Sequence, residues 1–77
     1  MLYAYSLISA EPGKTIDVFK KVKTIKGVKK TDAVTGPYDI VAHIEVDSME
    51  ELTKVLFGEI RNIPGVANTM TLIVVEL

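Results

Sequence analysis

Two periodicities alternate along the chain. Residues 2–9, LYAYSLIS, and 40–46, IVAHIEV, alternate or are β-branched, as strands are. Between them Thr15, Val18, Phe19, Val22 and Ile25 step by three and four, the spacing of one buried helix face. The same steps recur in the second half at Thr53, Leu56, Phe57, Ile60 and Ile63. Each series runs into the same exit: IKGVKKT at 25–31 and IPGVANT at 63–69 both read Ile-x-Gly-Val-x-x-Thr. A strand is expected after each exit, the polar VKKTDAVT at 28–35 and the apolar TMTLIVVEL at 69–77.

The helix ends are also legible. Ser48 with Glu51 three residues on fits a capping box, and Asp47, Glu50 and Glu51 suit the positive end of a helix dipole. Pro12-Gly13 marks a turn before the first helix, which opens at Lys14 or Thr15. Gly27 and Gly65 stand where a left-handed residue closes a helix, and Pro64 forbids continuation of the second. The order β-α-β-β-α-β predicts an α+β, ferredoxin-like fold. Right-handed crossovers give a four-stranded antiparallel sheet in the order 4-1-3-2. The charged strand 2, with Lys29, Lys30 and Asp32, suits an edge.

Two helices cover one face of such a sheet. Strand 1 sets Leu2, Ala4, Ser6 and Ile8 on one side and Tyr3, Tyr5 and Leu7 on the other. In strand 4, Met70, Leu72 and Val74 alternate with Thr71, Ile73, Val75 and Leu77. Strand 3 sets Ile40, Ala42, Ile44 and Val46 opposite Val41, His43 and Glu45. In strands 1 and 4 neither side is polar, unlike a half-solvated sheet. The open face is therefore expected to pack on a second copy, as a sheet-to-sheet homodimer of the dimeric α+β barrel type. The candidate interface is Tyr3, Tyr5, Leu7, His43, Ile73 and Val75. His43 beside Glu45 at that interface would make assembly sensitive to pH.

Composition narrows the function. The chain has 77 residues, 48% of them apolar and 25% charged, with a net charge of −1. That length allows one domain, residues 1–77, marginal without covalent staples or partners. There is no cysteine and one histidine, so no disulfide, thiolate site or zinc cluster is expected, and no cofactor motif is present. Absent Gln, Cys and Trp suit a thermophile. The apolar start MLYAYSLISA has no basic flank and stops at Glu11, so neither a leader nor a membrane span is expected. A soluble, cytoplasmic protein is the expectation. Seven of the nine basic residues lie between Lys14 and Lys30. No aromatic platform interleaves them, so they read as a solvated helix back and not a nucleic-acid surface. The basic first helix could also face the acidic start of the second in another copy.

One stretch resists a purely architectural reading. In VTGPYDIVAHIEV, residues 34–46, Gly36-Pro37 fits a hairpin turn of type I, yet Tyr38 and Asp39 follow directly before an apolar strand. TGPYDI resembles the Gly-x-Tyr-Asp loop of the effector-binding domain of Lrp/AsnC (feast/famine) transcription regulators. PGK after strand 1, Gly-Val after helix 1 and IPGVANTMT before strand 4 are similar to that domain in the same order. The resemblance spans essentially the whole chain. It implies a domain that dimerises through its sheet, assembles into rings of dimers, and binds an amino acid or similar small metabolite between dimers. Met1 runs directly into strand 1, so the family's helix-turn-helix domain is expected to be missing, and with it direct DNA binding. The module would sense that metabolite, in transcription regulation or metabolic sensing, or regulate a partner, such as a full-length regulator, by co-assembly.

The resemblance also implies site residues. It places Gly36, Tyr38, Asp39, Thr69 and Thr71 in the effector cleft, with Val34, Thr35 and Met70 beside them, different subunits contributing. An amino-acid carboxylate needs backbone N–H or hydroxyl donors, and an ammonium needs an acid. Asp39 is the natural acid, unless it only holds the turn. No nucleophile, phosphate loop or paired-carboxylate motif is present, so no enzyme is expected. Two other readings remain: a small dimeric α+β barrel enzyme, such as a cofactor-free monooxygenase or isomerase, with a pocket at His43 or Tyr5; and an amino-acid-binding domain of the ACT type.

Overall fold

Alternating side chains build the first strand, β1 (Leu2–Ala10), which buries Ala4, Ser6 and Ile8 on one side. The computed structural model describes all 77 residues. The helix α1 (Thr15–Lys23) follows, burying Val18 and Val22, then β2 (Val28–Ala33) and β3 (Ile40–Val46). The second helix begins as α2 (Met49–Thr53), widens into a π-helical segment at Lys54–Ile60, and leads to β4 (Val66–Ile73). The sheet is antiparallel in the order β2-β3-β1-β4, the expected order read from its other edge. Both helices pack on one face. Ile40, Ala42, Ile44 and Val46 of β3 complete the core with Leu52, Val55, Leu56 and Ile60.

The repeated exits fold alike. Gly27 and Gly65 share φ +100°, and in each the following valine N–H bonds the isoleucine carbonyl three residues back, at 3.1 and 3.2 Å. Gly27 then accepts from Glu45 N (2.9 Å) and Gly65 from Glu11 N (2.7 Å), which ties each exit to the end of a strand. Ser48 Oγ accepts from Glu51 N at 3.1 Å, half of the expected capping box. Lys14 caps α1 without a side-chain bond.

Three expectations need correction. Strand 4 starts at Val66 and ends at Ile73, not 69–77, because its ladder with β1 runs from Ala10–Val66 to Ala4–Ile73. Only Val74 N, bonding Tyr3 O at 2.9 Å, extends the ladder. Strand 2 ends at Ala33, since Val34 and Thr35 are used to cross to β3. Phe57 is 54% exposed and does not share the core face. In the π-helical segment Arg61 N bonds Leu56 O five residues back (3.1 Å), and this wider turn leaves Phe57 on the outer flank. Asn62 Nδ2 donates to the carbonyls of Phe57 (3.3 Å) and Gly58 (3.0 Å), groups that an ordinary helix would pair along its axis.

Candidate functional site

The β2–β3 connection is wider than a type I turn. Val34 N bonds Asp39 O (2.8 Å), and Asp39 N bonds Ile8 O of β1 (2.9 Å) instead of closing back on Gly36. Gly36 has φ +132° with open space around its α-carbon, so the loop requires its backbone freedom here. The acid before the strand has a definite task. Backbone groups of alternate residues leave a strand toward the same edge. Ile8 and Ala10 both face β3, but β3 begins only at Ile40. Asp39 Oδ2 accepts from Ala10 N at 2.8 Å and stands in for the missing ladder carbonyl. Its second oxygen has no partner within the chain.

Register then sorts the candidates onto two faces. Met70 lies opposite Leu7, on the face away from the helices, and the Tyr38 hydroxyl reaches its Sδ at 3.7 Å. The loop and Met70 are thus brought together. Thr69 and Thr71 lie opposite Ile8 and Ser6, on the helix side. They line a groove of about 440 Å³ with Phe57, Arg61, Val66, Ala67 and Asn68. Within one chain the loop and the two threonines do not converge. Val34, Thr35 and Gly36 are exposed. Sequence reasoning missed Phe57, Arg61 and Asn68. The available signal was Arg61 itself, the one arginine among nine basic residues.

The open face is graded. Tyr3, Tyr5 and Leu7 of β1 adjoin Met70 and Leu72 of β4, and Tyr3, Tyr5, Met70 and Leu72 are exposed. The β2–β3 half is polar. His43 Nε2 lies 2.9 Å from Asp32 Oδ2, with Lys30 Nζ at 3.7 Å from the same oxygen and the Tyr5 ring edge-on at 5.1 Å. The partner of His43 is therefore Asp32 across the strand pair and not Glu45. Ile73 is also corrected: it lies opposite Ala4, on the helix side, because β4 pairs Tyr5 with Leu72. Val75 lies beyond the end of β4. Leu72 and Met70 take their place on the open face.

Other hollows are present, one of them about 490 Å³ beside Gly27, Glu45 and Lys54. One at Tyr3, Tyr5, Lys29 and His43 has only about 110 Å³, below the usual range for ligand pockets. The largest, about 720 Å³, lies between α1 and the Pro64-Gly65 exit, lined by Lys14, Asp17, Lys20 and Lys21 with Glu11 and Thr24, and the lysines crowd it with positive charge. No group of three His, Cys, Asp or Glu side chains is placed to hold a metal ion. No helix is long and apolar enough to cross a membrane.

Comparison with known proteins adds a family. The model of the Lrp/AsnC ligand-binding domain matches residues 3–77. An uncharacterized helix-turn-helix-type transcriptional regulator of Pyrococcus furiosus is 29% identical over 73 residues, 91% of this chain and 49% of its own length. The chain thus spans about half the length of that curated relative. A homocitrate synthase of Sulfurisphaera tokodaii is 32% identical over 62 residues, 80% of this chain and 13% of the synthase. Among solved structures, a protein from Thermus thermophilus superposes with a TM-score of 0.95 at 30% identity, covering 100% of this chain and 96% of that one. A feast or famine regulatory protein from M. tuberculosis, complexed with L-methionine, has a TM-score of 0.83 at 24% identity, covering 100% of this chain and 52% of that one.

Proposed function

Since the chain belongs to the Lrp/AsnC ligand-binding domain family, we propose that it is an amino-acid-sensing and assembly module whose ligand sites are completed by neighbouring copies. The observation that carries this reading is Asp39. One carboxylate oxygen is committed to Ala10 N and the other is free beside a glycine loop, a fixed acid suited to an α-ammonium. The methionine bound by the mycobacterial relative supports an amino acid as the ligand class. Thr69 and Thr71 lie on the opposite side of the sheet, so a cleft using both sets takes them from different copies.

The apolar β1–β4 half of the open face supports a sheet-to-sheet homodimer, with the polar half around His43 at its rim. Such dimers would assemble further, as rings or with a full-length regulator of the family. Ligand and assembly would then strengthen each other reciprocally. In this reading the chain makes no direct contact with DNA. The synthase match favours a second target: a module of this kind acting on a biosynthetic enzyme. An enzyme of the α+β barrel type is less well supported, because the hollow at His43 and Tyr5 is small and open.

Thermal unfolding against each of the twenty amino acids at millimolar excess tests the reading. A native-state ligand at 100 times its Kd adds about 2.7 kcal/mol. One or a few clear stabilisers are expected, with the gain lost in Asp39→Asn, which keeps an acceptor for Ala10 N and removes the charge. No stabiliser among the twenty would refute amino-acid sensing.

A further inference from the structure

The groove between the π-helical segment and edge strand β4 is built from groups that the fold leaves unused. Phe57 is an exposed aromatic residue, and the Arg61 guanidinium carbon lies 5.2 Å from its ring centroid. Arg61 has no carboxylate partner, since both ion pairs in the chain involve Asp32. The hydroxyls of Thr69 and Thr71 make no hydrogen bond within the chain, and Asn68 contributes only its backbone carbonyl, to Ser9 Oγ. Five residues of the groove, Val66 to Thr69 with Thr71, come from one strand, and two come from the wide helical turn that faces it.

The donors have a common chemistry. A guanidinium offers a planar fork of N–H groups that matches a carboxylate with two parallel bonds, which a lysine ammonium cannot do. Stacking on Phe57 holds that fork at the groove wall and leaves its edge available. The hydroxyls of Thr69 and Thr71, both on the helix side of β4, add neutral donors at the floor. We propose that this groove is a carboxylate-binding subsite in which Arg61 grips the ligand carboxylate and Phe57 forms the wall for an apolar substituent. This deepens the ligand-binding reading and rests on it for the nature of the ligand. It assigns the carboxylate to Arg61 on one copy and leaves the ammonium to Asp39 on another.

The test uses the full chain and a probe that lacks an ammonium. 4-Methylpentanoate is titrated into the 15N-labelled protein, with 4-methylpentanamide as the uncharged control. Saturable amide shifts at Asn68, Thr69 and Thr71 are expected with the carboxylate and not with the amide. Arg61→Met should weaken them at least about fivefold, with Arg61→Lys between, because lysine keeps the charge and loses the fork. Arg61 is exposed, and an unchanged melting temperature checks that each variant folds. Equal shifts from carboxylate and amide, or unchanged affinity in Arg61→Met, would overturn the subsite. If amino acids bind through Asp39 but Arg61→Met binds them equally well, sensing stands and the subsite falls. If no amino acid stabilises the protein yet the carboxylate binds through Arg61, the subsite stands and amino-acid sensing falls.

Discussion

Asp39 has two duties that substitution can separate. Its structural duty is to accept from Ala10 N, a half-buried donor that β3 does not reach. Leaving such a donor unpaired costs about 1–2 kcal/mol. Asp39→Ala should therefore be less stable than Asp39→Asn by about 1 kcal/mol in urea unfolding. Equal stabilities would mean that the bond contributes nothing. A second contrast concerns two glycines with positive φ. At Gly13 (φ +80°) an added Cβ meets open space, whereas at Gly65 (φ +100°) it comes within 2.8 Å of Lys14 Cβ. A left-handed non-glycine residue costs about 1–2 kcal/mol by itself. Gly65→Ala should cost that and more, and Gly13→Ala only that. Paired denaturant curves measure the difference.

The elements were legible where local chemistry decides them and less so where partners decide. The Ile-x-Gly-Val-x-x-Thr exits predicted two equivalent junctions, and both glycines close their helices at the same φ. Ser48 announced its cap. Strand limits failed at β4, because its extent depends on how far it pairs with β1, information that strand 4 does not itself contain. The π-helical segment was also hidden. Periodicity of three and four cannot distinguish it from an ordinary helix, so Phe57 was assigned inward and Arg61 was passed over. Gly58 sits in this segment, where an added Cβ meets open space. Gly58→Ala should stabilise the chain by about 0.5–1 kcal/mol through helix propensity, read as a raised midpoint of unfolding. A loss of stability would mean that the wide turn needs glycine.

Only 13 of the 77 residues are buried, a small core for an isolated chain. The uncovered β1–β4 face supplies apolar surface that a second copy can complete. Which side chains belong to it turns on register. Alternation alone left two choices for β4, and pairing of Leu72 with Tyr5 selects Leu72 over Ile73. Leu72→Glu should therefore shift native mass from dimer to monomer, while Ile73→Glu should not. The reverse pattern would place the interface on the other side of β4. The candidate ligand residues follow the same logic. The resemblance nominated them, but their separation onto two faces was not legible, because it depends on strand pairing. A site divided in this way is testable by complementation. Asp39→Asn and Thr71→Val oligomers, each unable to bind the amino acid that most stabilises the wild type, are unfolded together, refolded as a mixture and assayed by calorimetry. Random mixing pairs an intact loop with an intact threonine at roughly a quarter of the sites, and binding should return to about that level. Absence of any recovery in well-mixed oligomers would contradict a site shared between copies.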